Sequence, residues 1–167
     1  MIKTKTVFAF AVLMANAALA NAEVRVDLSA PERFLDLKMP DTSIASGQEQ
    51  FIRSMEQELA ALVEKSFDRD KSLHVVFEQV DLAGHIEPMR GRHAREVRVV
   101  KTMDPLRLKF SYSLSDLNGN VSEQGSEDIK IFISQTDMYG KGKNRELFFE
   151  RRMMREWFLG EFGEKRQ

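Results

Sequence analysis

The stretch HVVFEQVDLAGHIEP, from His74 to Pro88, concentrates side chains that do chemistry. Two of the chain's three histidines lie in it, together with Glu78, Asp81 and Glu87. Imidazole and carboxylate are common ligands of divalent metals and common partners in proton transfer. Asp81, His85 and Glu87 are the set that a small hydrolase or a metal-dependent enzyme would draw on. The spacing supports a plainer reading. No HExxH pattern is present, and His74, His85 and His93 do not repeat at a zinc-ligand interval. Side chains alternate along a strand, so His74 and Glu78 share one face of LHVVFEQV. Asp81 and Gly84 then suit a turn, the aspartate bonding backbone and the glycine supplying positive φ. His85 and Glu87 fall in the loop beyond.

A basic segment follows. Between Pro88 and Lys109, Arg90, Arg92, Arg95, Arg98, Lys101, Arg107 and Lys109 stand against only Glu96 and Asp104. A guanidinium fork matches carboxylate and phosphate oxygens two at a time. Arg90, Arg92, Arg95 and Arg98 are therefore candidate contacts to an anionic envelope component, with a periplasmic protein as the other kind of partner. The competing reading is a solvated sheet face. Arg98, Arg107 and Lys109 would lie on the outer face of adjacent strands, opposite acids such as Glu123, Glu127 and Asp128.

Other chemistries lack their motifs. YGKGKNR (Tyr139–Arg145) resembles a phosphate loop, but a Walker motif needs glycine at Asp137 and serine or threonine at Asn144. There is no GxSxG elbow and no cysteine to act as nucleophile. No cofactor or metal motif is found. The formal charge of −1 argues against general nucleic-acid binding, which depends on neutralising phosphates.

The elements that would position these groups follow from periodicity. EVRVDL (Glu23–Leu28) alternates as a short strand. Ser46 with Glu49 forms a capping box, and Phe51, Met55, Leu59, Leu62, Val63 and Phe67 then make one apolar helical stripe. Leu73–Val80, REVRVVKT and Leu106–Leu114 read as strands, the last with Leu106, Leu108, Phe110, Tyr112 and Leu114 on one face. Asn118-Gly119 signals a hairpin turn, and a return strand ends in DIKIFI. The tail from Asn144 to Phe162 favours helix, with Asn144 as cap and Gly163 as closure. Its apolar residues form two arcs, Leu147, Phe158 and Phe162 on one, Phe149, Met153 and Trp157 on the other. Two arcs imply two packing partners: the sheet, and the first helix, another protein or the chain's own termini. The reading is α+β: an antiparallel sheet of about five strands with two main helices, in the order β-α-β-β-β-β-α.

The N-terminus carries an address. MIKTK is basic, Val7–Ala15 is apolar, and Ala20-Asn21-Ala22 is a small-x-small site. Together these read as a signal peptide over residues 1–22, cleaved after Ala22. The apolar run falls short of the roughly 20 residues that a membrane span needs, and no transmembrane segment is expected after cleavage. Residues 23–167 then form a single periplasmic domain of a Gram-negative bacterium. Loss of Lys3 and Lys5 makes it more acidic. Export permits disulfides, yet the chain has no cysteine, so its stability rests on packing.

Read in order, VRVDLSAPERFLDL, VDLAGHIEP, REVRVV, DPLRLKFSYSL, GSEDI and ELFFERRMMREWF resemble the family of secreted bacterial proteins catalogued as domain of unknown function 3016. The resemblance runs over nearly the whole of residues 23–167, more loosely from Met39 to Phe67. It implies an exported single-domain bacterial protein and assigns no activity, cofactor or catalytic residue. The expectation is a non-enzymatic binding or accessory domain of the cell envelope. The alternatives are an enzyme built on Asp81, His85 and Glu87, or a structural or chaperone-like subunit docking through the tail helix.

Overall fold

A computed structural model describes residues 23–67, 71–88, 95–139 and 146–163. The elements are β1 (Glu23–Leu28), α1 (Ile44–Ser66), β2 (Lys71–Asp81), β3 (His85–Pro88), β4 (Glu96–Val99), β5 (Pro105–Asp116), β6 (Val121–Phe132) and α2 (Phe148–Phe162), with 3-10 turns at Pro31–Arg33, Leu35–Leu37 and Thr136–Met138. The class is α+β and the order follows the sequence expectation, with His85–Pro88 as an added strand.

The sheet differs from the expected antiparallel one in two respects. First, it is mixed. Its order is β1-β2-β5-β6, and β1 runs parallel to β2, with Val26 beside Val75. Parallel neighbours need a long crossover, and α1 supplies it between them. Second, β4 is not in this sheet. It pairs with β3 as a separate two-stranded ribbon, Ile86 opposite Arg98. The chain leaves the main sheet after Asp81 because Leu82–Gly84 turns it away, with Gly84 at φ +76°.

The core lies between one sheet face and the two helices. Phe51, Met55, Leu59, Leu62 and Val63 of α1 are buried, as their spacing predicts. They meet Leu73, Val75 and Phe77 of β2 and Leu106, Leu108, Phe110 and Leu114 of β5 in one continuous cluster. Phe77 stands at its centre, 5.0 Å from the Phe51 ring and 5.5 Å from that of Phe110. Each such side chain contributes about 1.5–3 kcal/mol through removal from water.

Helix α1 starts three residues earlier than the capping box suggests. Ser43 is the cap, its hydroxyl accepting from the Ser46 amide at 3.2 Å. Gly47 therefore sits inside the first turn. There it admits the Leu37 carbonyl, which an added Cβ would meet at 1.8 Å. Gly47 serves close approach, whereas the capping-box reading used it only as a spacer.

Both arcs of α2 are consumed within the chain. Trp157 packs edge-on against Phe110 at 4.8 Å and Tyr112 at 5.1 Å on the sheet. Phe158 and Phe162 meet Phe67 at the end of α1, at 6.0 and 5.5 Å. Tyr112 also donates to Glu161 at 2.9 Å. Burial, then that bond and nearby carboxylates, push the Tyr112 hydroxyl up to about 12. The cap of α2 is Leu147, in the left-handed region at φ +54°, and Asn144 lies outside the described residues. Gly163 closes the helix in right-handed geometry, its amide bonding the Leu159 carbonyl at 2.8 Å. At the β5–β6 hairpin, Gly119 has φ +82°, and Asp116 accepts from the amides of Asn118 and Asn120.

Gly84→Ala tests the turn that diverts the chain. The new Cβ would meet the Val99 carbonyl oxygen at 2.2 Å, in a backbone conformation that already strains an L residue. Strain of this kind costs about 1–3 kcal/mol, and the overlap adds to it. Urea unfolding should show a loss of at least about 2 kcal/mol, whereas Gly160→Ala, whose Cβ meets nothing, should be neutral or stabilising.

Candidate functional site: a cavity beside the diverted ribbon

The sequence candidates disperse in three dimensions. Asp81 accepts from Gln79 at 2.9 Å. His85 and Glu87 touch at 2.7 Å, and Lys101 adds a contact to Glu87 at 3.3 Å. The hydrogen bond from His85, then Lys101, holds the Glu87 carboxyl below its ordinary value. Both residues are exposed on the ribbon, with side chains about half accessible. Among the described residues, no three histidine, aspartate or glutamate side chains gather to hold a metal ion. His74 pairs with Asp27 of β1 at 2.8 Å, and Glu78 with Lys109 at 2.7 Å.

The basic segment divides as well. Arg90 and Arg92 lie outside the described residues. Arg95 is exposed just ahead of β4. Arg107 makes a two-pronged pair with Asp128, both contacts at 2.7 Å, which is the cross-strand pairing of a solvated sheet face. Arg98 is not on that face. It belongs to the ribbon, its side chain is mostly buried, and it donates to the carbonyls of Gly84, Asp36 and Lys38 at 3.0–3.2 Å. Its Nε–H is buried with no acceptor among the described residues.

Arg98 is one part of a larger clamp. Leu82 donates its amide to Asp36 at 2.8 Å, and the next amide, that of Ala83, goes to Glu150 at 3.0 Å. Two carboxylates thus hold successive N–H groups of the turn, while Arg98 holds the carbonyl that follows. Glu96 extends the clamp. It pairs with Lys38 at 2.7 Å and exchanges hydrogen bonds with Asp41, the Asp41 amide reaching its carboxylate and its own amide reaching the Asp41 carboxylate. These contacts strap the ribbon to the segment ahead of α1.

Beside the clamp is a cavity of about 550 Å³. Its walls are Met39 and Pro40, Val97 and Val100, Met138, and Leu147, Phe148 and Phe149 at the start of α2; Ala83, Glu96, Arg98, Glu146 and Glu150 complete the lining. This lies within the roughly 300–1,000 Å³ typical of small-molecule pockets, which are mostly apolar with a few fixed polar groups. Glu150 is 3% exposed. Burial pushes its carboxyl up, against the opposing hydrogen bonds from its own amide and that of Ala83 and the charge of Arg98. Burial likewise raises Asp36. A buried carboxyl with a shifted proton affinity inside a cavity marks a candidate site.

Sequence reasoning does not single out Glu150, one of several charges in FFERRMM. The signal was its position. Met153, Met154, Trp157 and Phe158 are all buried, and they stand three, four, seven and eight residues on, so Glu150 heads the buried stripe.

The structure therefore defines an α+β domain with one sheet face under two helices and a cavity at the foot of a diverted ribbon. The chain belongs to the family described as protein of unknown function DUF3016, whose model matches residues 22–160. No curated protein matches the sequence significantly.

Glu150→Gln separates the clamp's hydrogen bond from its charge, because the amide oxygen still accepts from Ala83. A carboxyl raised by folding binds its proton more tightly in the native state. Stability from this group is then full below its ordinary value, near 4.5, and is lost as pH rises through the raised value. The stability of Glu150→Gln relative to wild type should accordingly increase from acid toward alkaline pH in parallel urea titrations. A pH-independent difference would contradict the assignment.

Proposed function

We propose that the chain is exported, with residues 1–22 removed after Ala22, and that residues 23–167 act in the periplasm of a Gram-negative bacterium as a non-enzymatic binding domain. Its ligand is a small amphiphile whose apolar body enters the cavity between β4 and the start of α2. The observation that carries this reading is the cavity itself: apolar walls over one buried carboxyl. The dispersal of Asp81 from His85 and Glu87 weakens the hydrolase alternative. The burial of both arcs of α2 likewise weakens docking through that helix, since Phe149 and Trp157 are 6% and 8% exposed. An anionic head group remains the expected polar end. Because the lining carries Glu96, Glu146 and Glu150 and its Arg98 is engaged by backbone carbonyls, that head group stays outside the cavity, toward Arg95, the exposed cation just ahead of β4.

Two measurements test the proposal. Protein recovered from a periplasmic fraction should begin at Glu23; retention of Met1 would defeat the export claim. The purified domain should bind the apolar fluorophore N-phenyl-1-naphthylamine saturably and release it to lauric acid more readily than to dodecanol. Val97→Trp, which fills the cavity from the ribbon side, should weaken probe binding by about tenfold or more, roughly 1.4 kcal/mol, with an unchanged circular dichroism spectrum. Failure of the folded wild type to bind the probe would overturn the cavity reading, and equal displacement by both competitors would remove the anionic head.

A further inference from the structure

Strand β6 closes one side of the main sheet, and among the described residues its outer rim pairs with no strand. Such a rim presents a row of unpaired N–H and C=O groups. This one is long and regular. It stays in register with β5 from Glu123 to Phe132 and contains no proline. It is also incompletely covered. Helix α2 lies over β5, where Trp157 meets Phe110 and Tyr112, and Ile129 and Ile131 on the same face of β6 are only partly buried.

The order of residues along β6 selects what fits there. Two copies of one strand can extend a sheet antiparallel about a twofold axis, which passes through a single residue so that facing side chains share a sheet face. An axis at Glu127 or Asp128 would set a carboxylate against itself. An axis at Gly125 would set Glu123 against Glu127. An axis at Ile129 brings Ile129 to Ile129, and it places Asp128 opposite Lys130 of the second copy and Lys130 opposite its Asp128. Opposite charges directly across a strand pair are favourable, and this register supplies them twice. Asp128 and Lys130 are both exposed; Asp128 already pairs with Arg107 on the β5 side, and Lys130 of the second copy joins that pair from the rim side. Glu127 falls opposite Ile131, where its aliphatic stem can lie along the isoleucine.

We propose that this chain forms a homodimer through β6, paired antiparallel about Ile129 from Ser126 to Phe132, which joins two sheets into one. The pairing covers the half-buried isoleucines at the rim and satisfies its backbone. It is independent of the cavity and of any ligand.

Light scattering on the purified chain should give twice the monomer mass, and Lys130→Glu should return it to the monomer with unchanged circular dichroism. The absence of native cysteine allows a positional test. Under mild oxidation Ile129→Cys should form a covalent dimer rapidly, because the two thiols face each other. Ile131→Cys, which stands opposite Glu127, should not, although its effect on the core is comparable. A monomeric wild type, a dimeric Lys130→Glu variant, or equally fast crosslinking at 129 and 131 would each overturn the proposal.

Discussion

The turn at Leu82–Gly84 is the constraint on which the rest of the architecture depends. Two successive amides need acceptors there, at a point where the chain leaves the sheet and its ladder can no longer supply them. Asp36 and Glu150 provide the acceptors, and Arg98 takes the Gly84 carbonyl. The three side chains come from the segment before α1, from the first turn of α2 and from β4. Hydrogen bonds to charged groups contribute about 1.5–3 kcal/mol each, and a buried amide left without one costs a similar amount. The turn therefore locks three distant segments together, and each of them helps to set the ribbon's direction.

This clamp contrasts with the packing of the sheet. Phe51, Phe77 and Phe110 form a continuous aromatic centre, and Trp157, Phe158 and Phe162 carry it across α2 to Phe67. Apolar burial is non-directional. It assembles the helices on the sheet without specifying where β3 and β4 go. The ribbon buries little of its own: its residues are at most partly buried, and polar contacts hold it. Directional bonds decide its place where hydrophobicity does not.

That division explains what was legible in the sequence. The α1 stripe, the alternation from Leu106 to Leu114 and the helical members of the two α2 arcs are patterns of burial, and each appears in the structure on the face its period assigns, whereas Leu147, counted in one arc, is the left-handed cap ahead of the helix. The positive φ of Gly84 was legible from its residue type and its place after a strand. The departures arise where long-range partners decide. A parallel β1 depends on how the α1 crossover returns the chain, which alternation along β1 does not encode. EVRV alternates equally well in a sheet and in a two-stranded ribbon, so period could not place β4. Asp81 looked like the turn's hydrogen-bond acceptor because it is adjacent in sequence, yet Asp36 and Glu150 do that work from 46 and 67 residues away. The clustering of acids and histidines near His74 carried no information about convergence: His74 and Glu78 share a strand face yet pair separately with Asp27 and Lys109, and of the set His85 and Glu87, two apart on β3, meet.

Glu150 links the clamp to the cavity. Its carboxyl holds the Ala83 amide and also forms part of the cavity wall. A charged carboxylate at such a buried position is costly unless it is hydrogen-bonded. Its protonation therefore depends on what occupies the adjoining space. An apolar group there strips away residual hydration and favours the neutral acid, while a cation favours the ionised form. The neutral acid is a weaker acceptor than the carboxylate for the Ala83 N–H. A ligand that shifted this protonation on entering the cavity would change the bond to the Ala83 amide in the same step. A hydrophobic residue at position 150 would remove the desolvation cost but would leave the Ala83 amide unpaired. The position has to satisfy both demands, and glutamate has the reach and the acceptor oxygens to meet both.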